Sequence, residues 1–143
     1  MRRPKRGLGL ITHGGKLMRW GKGAVAGDFI FLSGAEARAD DSDFPPVGIR
    51  AQTELALNRV EKRLKEAGAS MDSVVRFVWY LTNRTDLDAF YEARDDWLDK
   101  HAPTLLRERS YASTLLIVGL ARPDMLVEID CTAYVTDGDK STT

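Results

Sequence analysis

The hydrophobic period of this chain switches between two and about 3.6 residues several times, and the order of those switches limits the folds open to it. The first fifty residues read as strands and turns. In them, Ala24-Val25-Ala26 and then Phe29-Ile30-Phe31-Leu32-Ser33-Gly34 are short apolar runs separated by a Gly27-Asp28 turn, the pattern of buried strands. From Gly48 to Gly68 the spacing turns helical. Ile49, Leu55/Ala56, Leu57, Val60 and Leu64 fall on one face, with Arg59, Glu61, Lys62, Arg63, Lys65 and Glu66 on a solvated one. Gly68 suits the left-handed position that closes a helix.

Val74 to Leu81 is rich in β-branched and aromatic residues and predicts a strand. A second helix capped by Thr85 or Asp86 carries a stripe of Leu87, Phe90/Tyr91, Arg94 and Trp97/Leu98 up to about His101, and Pro103 lies beyond its end. Two strands follow, Ala112 to Val118 and Leu126 to Val135. In the last, Val127, Ile129, Cys131 and Ala133 alternate with Glu128, Asp130 and Thr132. Strands, helix, strand, helix, strands is the order of an α+β fold with both helices on one face of a mixed sheet. No third helix is expected for the other face, so a second subunit is the simplest cover.

Composition narrows the function. The 143 residues are a single domain, 1–143, with a basic start (1–6) and a polar end (137–143) expected to fray, and an acidic, proline-containing loop over 40–46. Twenty-one basic and 21 acidic side chains cancel, which argues against nucleic acid as partner and leaves little self-repulsion between copies. One cysteine, Cys131, excludes an internal disulfide, and two histidines make a metal site improbable. The start lacks a signal-peptide core and no apolar stretch approaches ~20 residues, so neither secretion nor a membrane span is expected, and the cytoplasm is the default location.

Glu128 is the most suggestive side chain. A carboxylate in an apolar strand must be paired, hydrogen-bonded or wet, and such a setting raises its pKa toward acid–base work; plain exposure on an alternating strand is the bland alternative. Ser33-Gly34 ends a strand without the context of a nucleophile elbow and reads as a turn serine. His13 and His101 read as a loop residue and a helix C-terminal cation, Cys131 as a small core residue. Gly7-Leu8-Gly9 and Gly14-Gly15 lack the strand-to-helix setting of phosphate loops. The basic start with Trp20, Trp79 and Tyr91 does not interleave as a nucleic-acid surface. Arg107 and Arg109 could fork a carboxylate, with Glu108 as a local partner instead.

Several spaced segments, taken together, resemble the Rid family (RidA/YjgF, endoribonuclease L-PSP). They are Ala26-Gly27-Asp28-Phe29-Ile30-Phe31-Leu32-Ser33-Gly34, Gln52-Thr53 with Ala56-Leu57-Asn58, Ala67-Gly68-Ala69-Ser70 with Asp72-Ser73-Val74-Val75, and Leu126-Val127-Glu128-Ile129-Asp130 with Ala133. The likeness runs from about residue 18 to 135. It implies a chorismate-mutase-like fold, a homotrimer with ligand clefts between subunits, and cofactor-independent hydrolysis of reactive imines and enamines.

The resemblance also carries a departure. In deaminating members an arginine on the penultimate strand grips the substrate carboxylate, and fifteen residues before Glu128 stands Ser113. Loss of such a partner commonly costs about 2–5 kcal/mol. The family's pocket tyrosine falls on Trp20, its helical asparagine on Tyr91, and the residue two after the arginine on Leu115, so Glu128 with Ser33 and Gly34 remains of the polar set. The resemblance thus implies a small-molecule site with Glu128 positioning or activating water, and Ser33, Gly34, Trp20, Tyr91, Ser113 and Leu115 around the ligand. Arg94 or Arg109 would be a relocated cation. A hydrolase of C=N compounds whose preference differs from 2-aminoacrylate or 2-iminopropionate is the leading expectation. A non-catalytic trimeric metabolite-binding or chaperone-like module is the second, and a ribonuclease the third.

Overall fold

A computed structural model describes residues 5–38 and 44–135; the predicted frayed residues 1–4 and 137–143 and most of the acidic loop lie outside these. The strands are β1 (Arg6–Gly7), β2 (Leu10–His13), β3 (Lys16–Gly21), β4 (Gly23–Ala26), β5 (Phe29–Glu36), β6 (Val74–Leu81), β7 (Ala112–Ile117) and β8 (Val127–Tyr134). The helices are α1 (Ile49–Glu66), α2 (Leu87–His101) and α3 (Pro103–Glu108). Six strands form one mixed sheet in the order β1-β4-β5-β8-β6-β7, in which the β6–β7 pair is parallel and the others are antiparallel. The parallel pair needs a crossover, which α2 and α3 provide. β2 and β3 form a separate hairpin whose Gly14 and Gly15, at φ 56° and 75°, make the turn.

The alternation predicted for the last strand is realised. Val127, Ile129, Cys131 and Ala133 are buried, and with Ile30, Leu32, Ala35, Phe77, Trp79 and Leu81 they form the sheet's side of the core. Ala56, Leu57, Val60 and Leu64 of α1 and Phe90 and Leu98 of α2 complete it. The predicted helix end is also as expected. Gly68 takes φ 81°, its N–H reaches Lys65 O at 3.1 Å, and the Ala69 N–H reaches Leu64 O at 2.9 Å, a Schellman arrangement.

Three expectations need correction. A third helix, which was not expected, is present: Pro103 lies beyond the end of α2 as predicted and starts α3, because proline's fixed φ and missing N–H suit a first helical turn. Arg63, read as solvated, is 7% exposed and donates to Ser33 O at 3.1 Å. Arg6, counted with the fraying start, pairs with Val25 in the sheet.

Gln52 ties the core to the segment leading into β8. It is 2% exposed, its Nε2 donates to Pro46 O at 3.0 Å and Asp124 O at 3.1 Å, and its Oε1 accepts the Leu126 N–H at 2.8 Å. Gln52→Leu keeps the volume and strands three backbone groups. Chemical denaturation of this variant is expected to show a loss of roughly 2–3 kcal/mol, the cost of unsatisfied buried polar groups.

Candidate functional site

The site begins with an irregularity in β5. Its pairing with β8 runs Leu32 to Cys131 and then Ala35 to Ile129, so three steps on one strand meet two on the other and Ser33-Gly34 forms a bulge. The extra residue resets the alternation. Ile30 and Leu32 face the helices, and beyond the bulge Ala35 takes that role while Glu36 turns to the open face, in register with Glu128. Three bonds hold the bulge: Ser33 Oγ donates to Gly21 O at 2.6 Å, the Ser33 N–H to Lys22 O at 3.0 Å, and Arg63 to Ser33 O. Gly34 leaves the space that the Glu128 carboxylate fills, and a Cβ there would displace that carboxylate.

On its other side Glu128 is in register with Tyr80, whose hydroxyl donates to Asp130 Oδ2 at 3.1 Å. Gly34, Tyr80, Glu128 and Asp130, with the loop 118–121, line an open cleft of about 430 Å³. Burial pushes the Glu128 carboxyl above the ordinary range, and the neighbouring charges of Glu36 and then Asp130 push it further. Glu36 is also raised by burial, but Arg59, Arg122 and Arg63 oppose the shift, and Arg38 stands 3.7 Å from it.

A second cavity, of about 510 Å³, lies on the helix side at the sheet edge and is lined by Arg94, Asp95, Leu106, Arg109, Tyr111 and Ser113. Ser113 is in register with Phe77 and accepts the Trp79 indole N–H at 2.8 Å, and Leu115 is in register with Trp79, so both belong to the helix face. The Arg94 guanidinium lies 4.8 Å from the Tyr91 ring centre, 5.5 Å from Trp79 and 5.7 Å from Phe90, while its Nε donates to Asp95 Oδ1 at 2.9 Å. Arg109 closes α3 at φ 52°, the one non-glycine left-handed residue described.

The predicted residues therefore fall into two groups that one chain does not unite. Ser33, Gly34 and Glu128 share the bulge, with Trp20 one residue before the Gly21 carbonyl that Ser33 binds and 56% exposed. Tyr91, Ser113, Leu115, Arg94 and Arg109 gather on the helix side. Neither arginine lines the Glu128 cleft. Sequence reasoning missed Glu36 and Tyr80 as neighbours of Glu128, because strand order and the bulge put them there; Asp130 was legible from the alternation.

A family model described as endoribonuclease L-PSP matches residues 15–135. The chain belongs to this family, the Rid (YjgF) family. Among curated Rid relatives, the mitochondrial protein mmf2 of Schizosaccharomyces pombe is 30% identical over 111 residues, 76% of this chain and 81% of that protein. Among Rid structures, Rv2704 of Mycobacterium tuberculosis, of the YjgF/YER057c/UK114 family, superposes with TM-score 0.64 at 29% identity, covering 81% of this chain and 86% of the other. Escherichia coli TdcF, solved with bound serine, gives TM-score 0.76 at 20% identity over 90% of this chain and 98% of its own. The Rid fold is chorismate-mutase-like, as the resemblance implied.

The raised carboxyl of Glu128 has a consequence for stability. A carboxyl whose folded pKa exceeds its unfolded value binds its proton more tightly in the native state, so stability falls as pH rises from the ordinary glutamate range through the folded pKa. Glu128→Gln is therefore expected to melt above wild type near pH 8 and to lose that advantage at about pH 4, as read by thermal denaturation at the two pH values.

Proposed function

We propose that the chain is a cofactor-independent hydrolase of small imines, enamines or related C=N intermediates, working in clefts shared between subunits of a homotrimer. The observation that carries this reading is the division of the site: an acidic half around Glu128 and a cationic, aromatic half around Arg94, on opposite faces of the sheet. A second copy of the chain is the simplest way to bring them together. The open sheet face supports such packing, for Phe29, Phe31 and Tyr134 are 43%, 48% and 40% exposed and lie against one another. Serine bound to TdcF supports a small polar molecule as ligand.

In this reading Glu128 positions and activates water against the C=N carbon, and Gly34 leaves room for its carboxylate. Trp20 and Tyr91 offer ring faces to the ligand, and Ser113 and Leu115 bound the other half. Arg94 takes the anion-binding role that Ser113 cannot perform. Its Nε is held by Asp95, which leaves the terminal nitrogens for a carboxylate fork, and Arg109 stands in the same cavity. Relocation of the cation supports a preference other than 2-aminoacrylate or 2-iminopropionate. The cytoplasm remains the proposed location, beside a relative named as mitochondrial. The absent guanidinium at Ser113 also favours a second reading, a trimeric module that binds a metabolite without turning it over.

Imines generated enzymatically and trapped with semicarbazide test the first reading. Wild type is expected to compete with the trap for at least one carboxylate-bearing imine, Glu128→Gln to fall to background, and Arg94→Ala to lose at least about 30-fold in kcat/KM. Background hydrolysis by wild type across the panel, with a ligand-dependent rise in melting temperature, would establish the binding module instead. Sedimentation equilibrium is expected to give the mass of three chains.

A further inference from the structure

Two carboxyls face each other across β5 and β8 in unlike surroundings. Glu36 and Glu128 are in register on the open face, where directly opposed side chains have Cβ atoms about 4.5–5.5 Å apart. Cations gather around Glu36: Arg38 from the end of its own strand at 3.7 Å, Arg59 and Arg63 from α1, and Arg122 from the segment before β8. Arg63 is fixed by Ser33 O and Arg59 donates to Arg38 O, so the cluster is tied to the bulge. Around Glu128 the groups are acidic or neutral: Glu36 from β5, Asp130 from its own strand, and Tyr80 from β6, whose hydroxyl is committed to Asp130. The loop 118–121 adds no charge.

Two neighbouring carboxyls do not readily ionise together, and the one with the cations loses its proton first. We propose that Glu36 is a positioning residue that holds a fixed negative charge beside Glu128, so that Glu128 meets its ligand carrying a proton and serves a neutral C=N nitrogen as acid before it serves water as base. This rests on the hydrolase reading and adds to it the substrate class, an imine that arrives unprotonated. The Glu128 carboxyl gives its proton to the imine nitrogen. Water oxygen then bonds to the carbon as the Glu128 carboxylate takes a water proton. The C–N bond breaks as nitrogen takes that proton and the carboxylate takes the hydroxyl proton, leaving a carbonyl compound and ammonia. Glu36 touches none of the reacting atoms.

The test is a pH titration of the wild-type protein labelled with ¹³C at glutamate carboxyls, the Glu128 signal being the one missing from Glu128→Gln. Glu36→Gln is expected to move the Glu128 midpoint to lower pH, Glu36→Asp to leave it near wild type, and Glu36→Thr, a neutral residue suited to a strand, to repeat the fall. A Glu128 midpoint that stays or rises in both neutral variants overturns the proposal. So does a wild-type titration in which Glu36 keeps its proton to higher pH than Glu128. With an imine substrate, the alkaline limb of kcat/KM is expected to move to lower pH in Glu36→Gln. The titration needs no substrate, so a shifted midpoint without hydrolysis overturns the hydrolase reading alone, and hydrolysis with an unmoved midpoint overturns the role of Glu36 alone.

Discussion

The bonds at Ser33 govern more of this molecule than their number suggests. Ser33 Oγ on Gly21 O, and Arg63 on Ser33 O, hold an extra residue in β5 where regular pairing with β8 would otherwise continue. That residue brings Ala35 into the core in phase with Ile30 and Leu32 and turns Glu36 outward beside Glu128. Without it the strand would present Glu36 to the apolar face, where an unpaired carboxylate is costly. Core packing and the acidic site thus rely on the same local feature.

Charge is distributed to match. Arg63 is nearly buried on α1, and it is satisfied by a backbone carbonyl as well as lying near Glu36. Arg94 is sheltered among three aromatic rings beside Ser113. A net charge of zero conceals this segregation: the acidic groups of interest lie in the cleft between β5, β8 and β6, the arginines at the bulge and under α2.

Periodicity made the layers legible. The α1 stripe, its Gly68 stop and the alternation of β8 follow from spacing alone, because each depends on side chains within a few residues. The third helix was missed because a proline beyond one helix end suits the start of the next equally well. The inward turn of Arg63 depends on Ser33, 30 positions away, and the pairing of Glu36 with Glu128 on a strand at the far end of the chain. Ser113 and Leu115 were placed by counting from Glu128, and a count says nothing about which sheet face a residue takes; register with Phe77 and Trp79 does. The candidate residues and clefts between subunits were expectations of the resemblance, but which of those residues lie on the same sheet face could not be read from the sequence.

In the proposed trimer, the separation of the two half-sites would make the symmetry of the assembly part of the chemistry. If each cleft takes Glu128 from one subunit and Arg94 from the next, no residue of either half can act alone. Mixing Glu128→Gln and Arg94→Ala chains by unfolding and refolding together measures this directly. Each parent is defective, and random assembly of a closed ring places an intact Glu128 against an intact Arg94 in about one cleft in four. Shared clefts predict recovery of roughly a quarter of wild-type imine hydrolysis in the mixture; activity no greater than the average of the two parents would contradict them.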